Sequence, residues 1–194
     1  MEGWFLIISG MRTDWESMTE WASQGTGERK TSPENLRLII NPYDDIGHAR
    51  AIVDLLDSYS RDPMGAGEPL SPGTRRDLVP ELRRRPWIVT LLAILEEVPV
   101  GLLIAIEGFS TFAARPLLNL HDVAVHPDHR GRGIGTALFA EAEKVGRKRG
   151  CCKMTLEVLE GNEPARRLYR QLGFQPYVLD DANGVAQYWE KPLS

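Results

Sequence analysis

Cysteine is almost missing from the 194-residue sequence: there are two, side by side at Cys151 and Cys152. Neighbours on a strand point to opposite faces, so a bridge between them is strained, and they read as free thiols beside a core strand. This excludes a disulfide-built scaffold and favours a reducing compartment. The cysteine spacing fits no metal site. His48, His126 and His129 read as surface or loop residues without partners at ligand spacing, so no metal is expected. Long apolar runs are missing too. No stretch approaches the ~18 residues of a membrane span, and the apolar patch at residues 4–8 lacks the basic flank and the length of a signal peptide. Nor is there an excess of positive charge. The net charge of -4 argues against nucleic acid or an anionic membrane as partner, because both select a basic surface. The expected location is the cytoplasm.

With 42% hydrophobic and 26% charged residues, the chain has the balance of an ordinary globular domain. Residues 1–35 read as an N-terminal extension, with a polar, glycine-bearing linker at 23–33. Trp4, Trp15 and Trp21 seldom stay solvated together, so the extension is expected to pack on its own domain or on a second copy in a homodimer. Residues 36–194 read as one α/β domain. A short strand at 36–40 precedes an amphipathic helix at 45–59, with Ile52, Val53, Leu55 and Leu56 on its apolar face. A Pro- and Gly-rich loop (60–73) leads to a helix at 74–85 that carries Arg75, Arg76, Arg83, Arg84 and Arg85. These arginines are either a solvated basic face or a phosphate or substrate patch. Apolar strands at 87–95 and 99–107 form a hairpin across Glu96-Glu97. A long strand at 117–125, a helix at 133–149 stopped by Gly150, and a strand at 153–158 make a βαβ unit. Asn162 caps a further helix, with Ala165, Leu168, Tyr169 and Leu172 as its apolar stripe, and strands at 175–178 and 185–190 finish the chain.

One segment carries a recognisable physical mechanism. After the strand ending at Val125, residues 130–135 (Arg-Gly-Arg-Gly-Ile-Gly) open a helix. Glycines let the backbone approach a phosphate closely. The first N–H groups of a helix have no internal partner, and the helix dipole favours an anion there. Arg130 and Arg132 add charge. The Gly-Lys-Ser/Thr of a P-loop is absent, and the glycine spacing and preceding antiparallel strands do not fit a dinucleotide-binding turn. The segment is expected to cradle a pyrophosphate.

Residues 123–177 resemble the GNAT superfamily of acetyl-CoA-dependent N-acetyltransferases. The family loop Arg/Gln-x-x-Gly-x-Gly/Ala is met by Arg130, Gly133 and Gly135. The pattern Asn-x-x-Ala-x-x-x-Tyr-x-x-x-Gly-Phe is met by Asn162, Ala165, Tyr169, Gly173 and Phe174. The resemblance implies a mixed, mostly antiparallel central sheet with a splayed parallel pair, flanked by helices, and acetyl-CoA as cosubstrate. It implies that the N–H groups of Arg130, Gly131, Arg132, Gly133, Ile134, Gly135 and Thr136 hold the pyrophosphate. The pantetheine arm would pair along Val123, Ala124 and Val125 and pass Asn162, and Tyr169 would protonate the departing thiolate.

The base is open. His121 occupies the position of the second histidine of the pair in serotonin N-acetyltransferase, although Asn119 replaces the first. In a regular strand His121 shares a face with Asn119, Val123 and Val125, and Asp122 points the other way unless a bulge intervenes. Glu107 and Glu157 are carboxylate alternatives, and a mechanism without a dedicated base is a third. The acceptor is expected to enter from the side of residues 57–85 and 108–116. There Phe109, Phe112 and Tyr59 either line a pocket or belong to the core, and Glu107 and Asp57 attract a cation. The resemblance thus implies acetyl transfer to a primary amine of a small molecule by direct attack in a ternary complex. The alternatives are a catalytically idle CoA-binding sensor and a protein acetyltransferase recruited through residues 1–35.

Overall fold

The computed structural model describes residues 33–178 and 186–191. The expectations for Trp4, Trp15, Trp21 and the linker lie outside the described residues. Five strands and four helices follow in the order β1 (Leu36–Ile40), α1 (Ile46–Ser60), α2 (Pro72–Arg83), β2 (Ile88–Leu95), β3 (Val98–Ser110), β4 (Arg115–Val125), α3 (Ile134–Lys148), β5 (Met154–Leu156) and α4 (Glu163–Gln171). A single 3-10 turn, Pro127–His129, separates β4 from α3.

Local chemistry sets the boundaries. Asp45 caps α1 by accepting from the His48 N–H at 2.8 Å, and Ser71 caps α2 by accepting from the Thr74 N–H at 3.0 Å. Glu96 and Glu97 both adopt positive φ, the geometry a tight hairpin turn requires, and join β2 to β3. Gly150 and Gly173, at φ of 74° and 86°, end α3 and α4.

The strands lie in the order β1-β2-β3-β4-β5, antiparallel throughout except for the parallel β4–β5 pair. The core has two sides. Leu91, Leu103, Leu118 and Leu120 face α3 through Leu138 and Phe139, and Leu92, Leu102 and Ile104 face α1 through Ile52 and Leu55. Inner strand β2 is therefore buried on both faces, and this explains its unbroken apolar run. The arginines of α2 are occupied by carboxylates: Arg75 by Asp54 and Asp57, Arg76 by Asp77, Arg83 by Asp44, and Arg84 and Arg85 by Glu81. They form a solvated face of paired charges.

Two expectations fail at the C-terminal end. The strand expected at 153–158 contracts to Met154–Leu156, because β4 offers it only Leu118, Asn119 and Leu120 as partners. The final strands do not form among the described residues. Residues 174–177 and 186–191 are irregular, Val178 is an isolated bridge, and Tyr177, Tyr188 and Trp189 are exposed. Strand propensity needs a neighbouring ladder, and a three-residue β5 offers little edge to extend.

Candidate functional site

β4 pairs with β3 as far as Gly101↔Val125, but with β5 only as far as Leu120↔Leu156. From His121 to Val125 its other edge has no strand partner among the described residues, so the parallel pair opens into a notch. A bulge marks where the notch begins. Ile104 lies opposite Asp122 and Ala105 opposite Leu120, so His121 is the extra residue.

The α3 end of the notch is built from backbone. Gly131 and Gly133 take φ of 75° and 83°, which L side chains rarely adopt, and no side chain caps α3. The first helical bond runs from the Ala137 N–H to the Gly133 carbonyl at 3.0 Å, so the N–H groups of Ile134, Gly135 and Thr136 have no acceptor within the helix. Close packing holds this turn in place. A Cβ on Gly101 would lie 3.0 Å from Ile134, and one on Gly135 would lie 3.3 Å from Leu168 of α4. The turn can receive an anionic group on bare N–H donors. The arginine side chains are engaged elsewhere. Arg130 donates from Nε to the Val125 carbonyl at 3.1 Å and from its terminal nitrogen to Asp62 at 3.0 Å, and Arg132 meets His129 at 3.2 Å.

α4 closes the same end. The Asn162 side-chain oxygen caps it by accepting from the Ala165 N–H at 3.2 Å. The Tyr169 ring lies 5.4 Å from that of Phe139 and 6.1 Å from that of Phe174. Burial raises the Tyr169 pKa, with a further rise from the nearby phenol of Tyr59. Tyr59 belongs to α1 and packs on the other side of the sheet.

On the α1 side the site is made of polar side chains. His121 Nδ1 lies 3.1 Å from the Asp122 carboxylate, with the histidine side chain 57% exposed and the aspartate 25%. The Tyr59 pKa is raised by burial first, then by Asp122 and Asp62. Asn119 donates to Thr155 and to Glu157 at 3.2 Å. Asp62 accepts from the Met64 N–H and from Arg130, and both hold its carboxyl below the usual range.

The bulge corrects the expected alternation. Leu118, Leu120, Val123 and Val125 pack on the α3 side, which leaves Asn119 on the opposite face from Val123. Asp122, opposite Ile104, falls on the α1 side. Four other expected contributors are elsewhere. Glu107, on β3 opposite Leu118 where β4 and β5 are still paired, binds Arg149 at 2.9 Å and helps raise the pKa of Cys151. Asp57 is 8% exposed and fully engaged by Arg61, Arg75 and the Leu70 N–H. Phe109 and Phe112 are 62% and 77% exposed beside the β3–β4 turn, so they belong neither to a pocket nor to the core. Asp62 was not foreseen. Its partner is 68 residues away, and no local pattern signals such a pair.

A cavity of about 260 Å³, lined by Gly146, Cys151, Cys152 and Phe174, lies against the outer edge of β5 and does not reach the notch. Both cysteines are free thiols. No group of three metal-ligating side chains occurs among the described residues, and no described helix is long and apolar enough to cross a membrane.

A sheet opened between two parallel strands, with a glycine-lined helix start at its mouth, defines an acetyltransferase architecture. Residues 52–174 match the acetyltransferase (GNAT) family, and the chain belongs to that family. Streptothricin acetyltransferase of Streptomyces lavendulae is 41% identical over 78 residues, covering 39% of this chain and 41% of that protein. The shared segment is thus less than half of that enzyme's length. Glucosamine 6-phosphate N-acetyltransferase of Trypanosoma brucei brucei is 31% identical over 114 residues, covering 56% of this chain and 74% of that protein. An aminoglycoside acetyltransferase from an uncultured soil metagenomic sample, solved in complex with sisomicin, shares the fold. Its TM-score is 0.65 at 16% identity, over 82% of this chain and 97% of that one.

Proposed function

We propose that the chain is an acetyl-CoA-dependent N-acetyltransferase that acts on a primary amine of a small molecule by direct attack in a ternary complex. The observation that carries this reading is the notch, which has a backbone anion cradle on one side of the sheet and a cluster of proton-accepting side chains on the other. Acetyl-CoA, when bound, supplies the acetyl group as a thioester: the C–N bond forms as the C–S bond breaks. The N–H groups around Gly133 to Thr136 hold the pyrophosphate, with Gly131 and Gly133 keeping the approach clear. Apart from the Val125 carbonyl, which Arg130 holds, the unpaired edge of Val123, Ala124 and Val125 offers backbone groups to the pantetheine arm, and the Asn162 amide stands beside it. His121 takes one proton from the ammonium so that the nitrogen lone pair is free to attack. Tyr169 stays protonated because burial raises its pKa, and it gives its proton to the leaving sulfur. The second amine proton restores the phenol, and the imidazolium releases its proton to water.

The support from the relatives is that one is a glucosamine 6-phosphate N-acetyltransferase and another is an aminoglycoside acetyltransferase that binds sisomicin. Release of CoA thiol from acetyl-CoA, followed against an amine panel, tests the reading. Turnover with one amine supports it. Tight CoA binding without thiol release overturns it in favour of a sensor, and acetylation confined to protein substrates overturns the small-molecule assignment. Residues 1–35 are proposed to pack on the domain or on a second copy. Their deletion then leaves CoA binding intact and shifts either the unfolding midpoint or the molecular mass in solution.

A further inference from the structure

We infer that Asp122 is a positioning residue that fixes the tautomer of His121 and aims its outer nitrogen at the incoming amine. The inference rests on the proposed function and adds a residue and a division of labour to it.

The bulge is the first observation. Neighbouring residues of a regular strand point to opposite faces and do not touch. Because His121 is the extra residue opposite Ile104 and Ala105, its ring and the Asp122 carboxylate come together at 3.1 Å. The second observation is the asymmetry of exposure. Asp122 is the sheltered member, on the α1 side of the sheet, and His121 is the open one. The third is chemistry. An ionised carboxylate accepts hydrogen bonds and donates none, so Nδ1 must carry the hydrogen. Nε2 then holds the lone pair.

The surroundings leave Asp122 free for this task. Tyr59 of α1 lies beside it as a neutral phenol, its pKa raised. Asp62 is already bound to Arg130, and Glu157 accepts from Asn119. Among the described residues Asp122 has no lysine or arginine within ion-pair distance, so its charge is compensated when His121 becomes a cation. The proton balance is simple. One proton moves from the ammonium nitrogen to Nε2, Asp122 remains ionised throughout, and the imidazolium later returns the proton to water. Asp122 touches neither substrate.

Nitrogen-15 NMR of the His121 ring tests the contact in the full chain, and steady-state kinetics test its use. In the unaltered protein the neutral ring is expected with its hydrogen on Nδ1. In Asp122→Asn and Asp122→Ala the ring is expected to become a mixture of tautomers, with kcat lowered about tenfold or more, while the amine KM and the CoA Kd stay within about twofold. Asp122→Glu should recover part of kcat. An unchanged tautomer in both variants overturns the inference, as does a rise in KM at constant kcat. If no amine is acetylated, the proposed function fails. The ring tautomer still decides the Asp122 contact, because it needs no turnover.

Discussion

On the α3 side of the notch the recognition groups belong to the backbone: the N–H groups of Ile134, Gly135 and Thr136, a left-handed Gly133, and Gly135 pressed against Leu168. On the α1 side they belong to side chains: His121 on Asp122, Glu157 on Asn119, and Asp62 on Arg130. The difference follows from what each side is proposed to meet. A pyrophosphate is the same at every turnover and needs donors and room. An acceptor is told from its competitors by charge and shape. Substitutions on the first side should therefore act through space and strain, and those on the second through chemistry.

The strongest way to break this contrast is Gly135→Val. The new side chain meets Leu168 and crowds the bare N–H groups. CoA affinity is expected to fall on the order of 100-fold, about 2.7 kcal/mol, as read by calorimetry. A loss as large from any single substitution at His121 or Asp122 would erase the contrast. Next is Tyr169→Phe, which should lower kcat on the order of 30-fold with CoA affinity unchanged. Equal activity removes Tyr169 from the chemistry. The pH dependence has a definite sign. The folded Tyr169 keeps its proton beyond the ordinary tyrosine value of about 10, so its contribution to stability is complete below that value and is lost as pH rises through the raised one. Unfolding midpoints above pH ~10 should decline less steeply in Tyr169→Phe.

Smaller effects sharpen the acceptor side. Burial alone would raise the Asp57 pKa, but its bonds from Arg61, the Leu70 N–H and Arg75 outweigh this and hold the carboxyl below the usual range. Its stabilisation is present above the unfolded value of about 3.9 and is lost as pH falls through the lowered one. Asp57→Ala should cost about 2 kcal/mol at neutral pH, measured by urea unfolding, and should flatten the acid end of the stability curve. The smallest effect is expected at Arg76→Ala. The Arg76–Asp77 pair is 74% and 54% exposed, and its loss should leave the unfolding midpoint unmoved.

The α3 side was also the readable one. Gly131, Gly133 and Gly135 follow one another in the chain, and the backbone they shape is the same stretch of chain. The hairpin across Glu96 and Glu97 and the caps at Asp45 and Asn162 are equally local. The failures all involve partners distant in sequence. The length of β5 is set by how far β4 accompanies it, and the expected strands at 175–178 and 185–190 depended on an outer edge of β5 that is barely present. The bulge at His121 is a mismatch in count between β3 and β4, invisible in either strand alone. Glu107 and Asp57 looked available until Arg149 and Arg75 arrived from other elements.

The tie between Arg130 and Asp62 has a practical meaning for redesign. One guanidinium ties the end of β4 to the segment leaving α1, beside the apolar packing of α1 on β3 and β4. The segment between residues 61 and 71 carries further ties: Arg61 and the Leu70 N–H hold Asp57, and the Glu68 carbonyl accepts from Ser60. A transplanted loop that keeps an aspartate at position 62 inherits the anchorage, and one that lacks it must supply another. A graft of this loop, aimed at the proposed acceptor side, thus has several ties to preserve, among them Asp62 on Arg130, and Arg61 and Leu70 on Asp57.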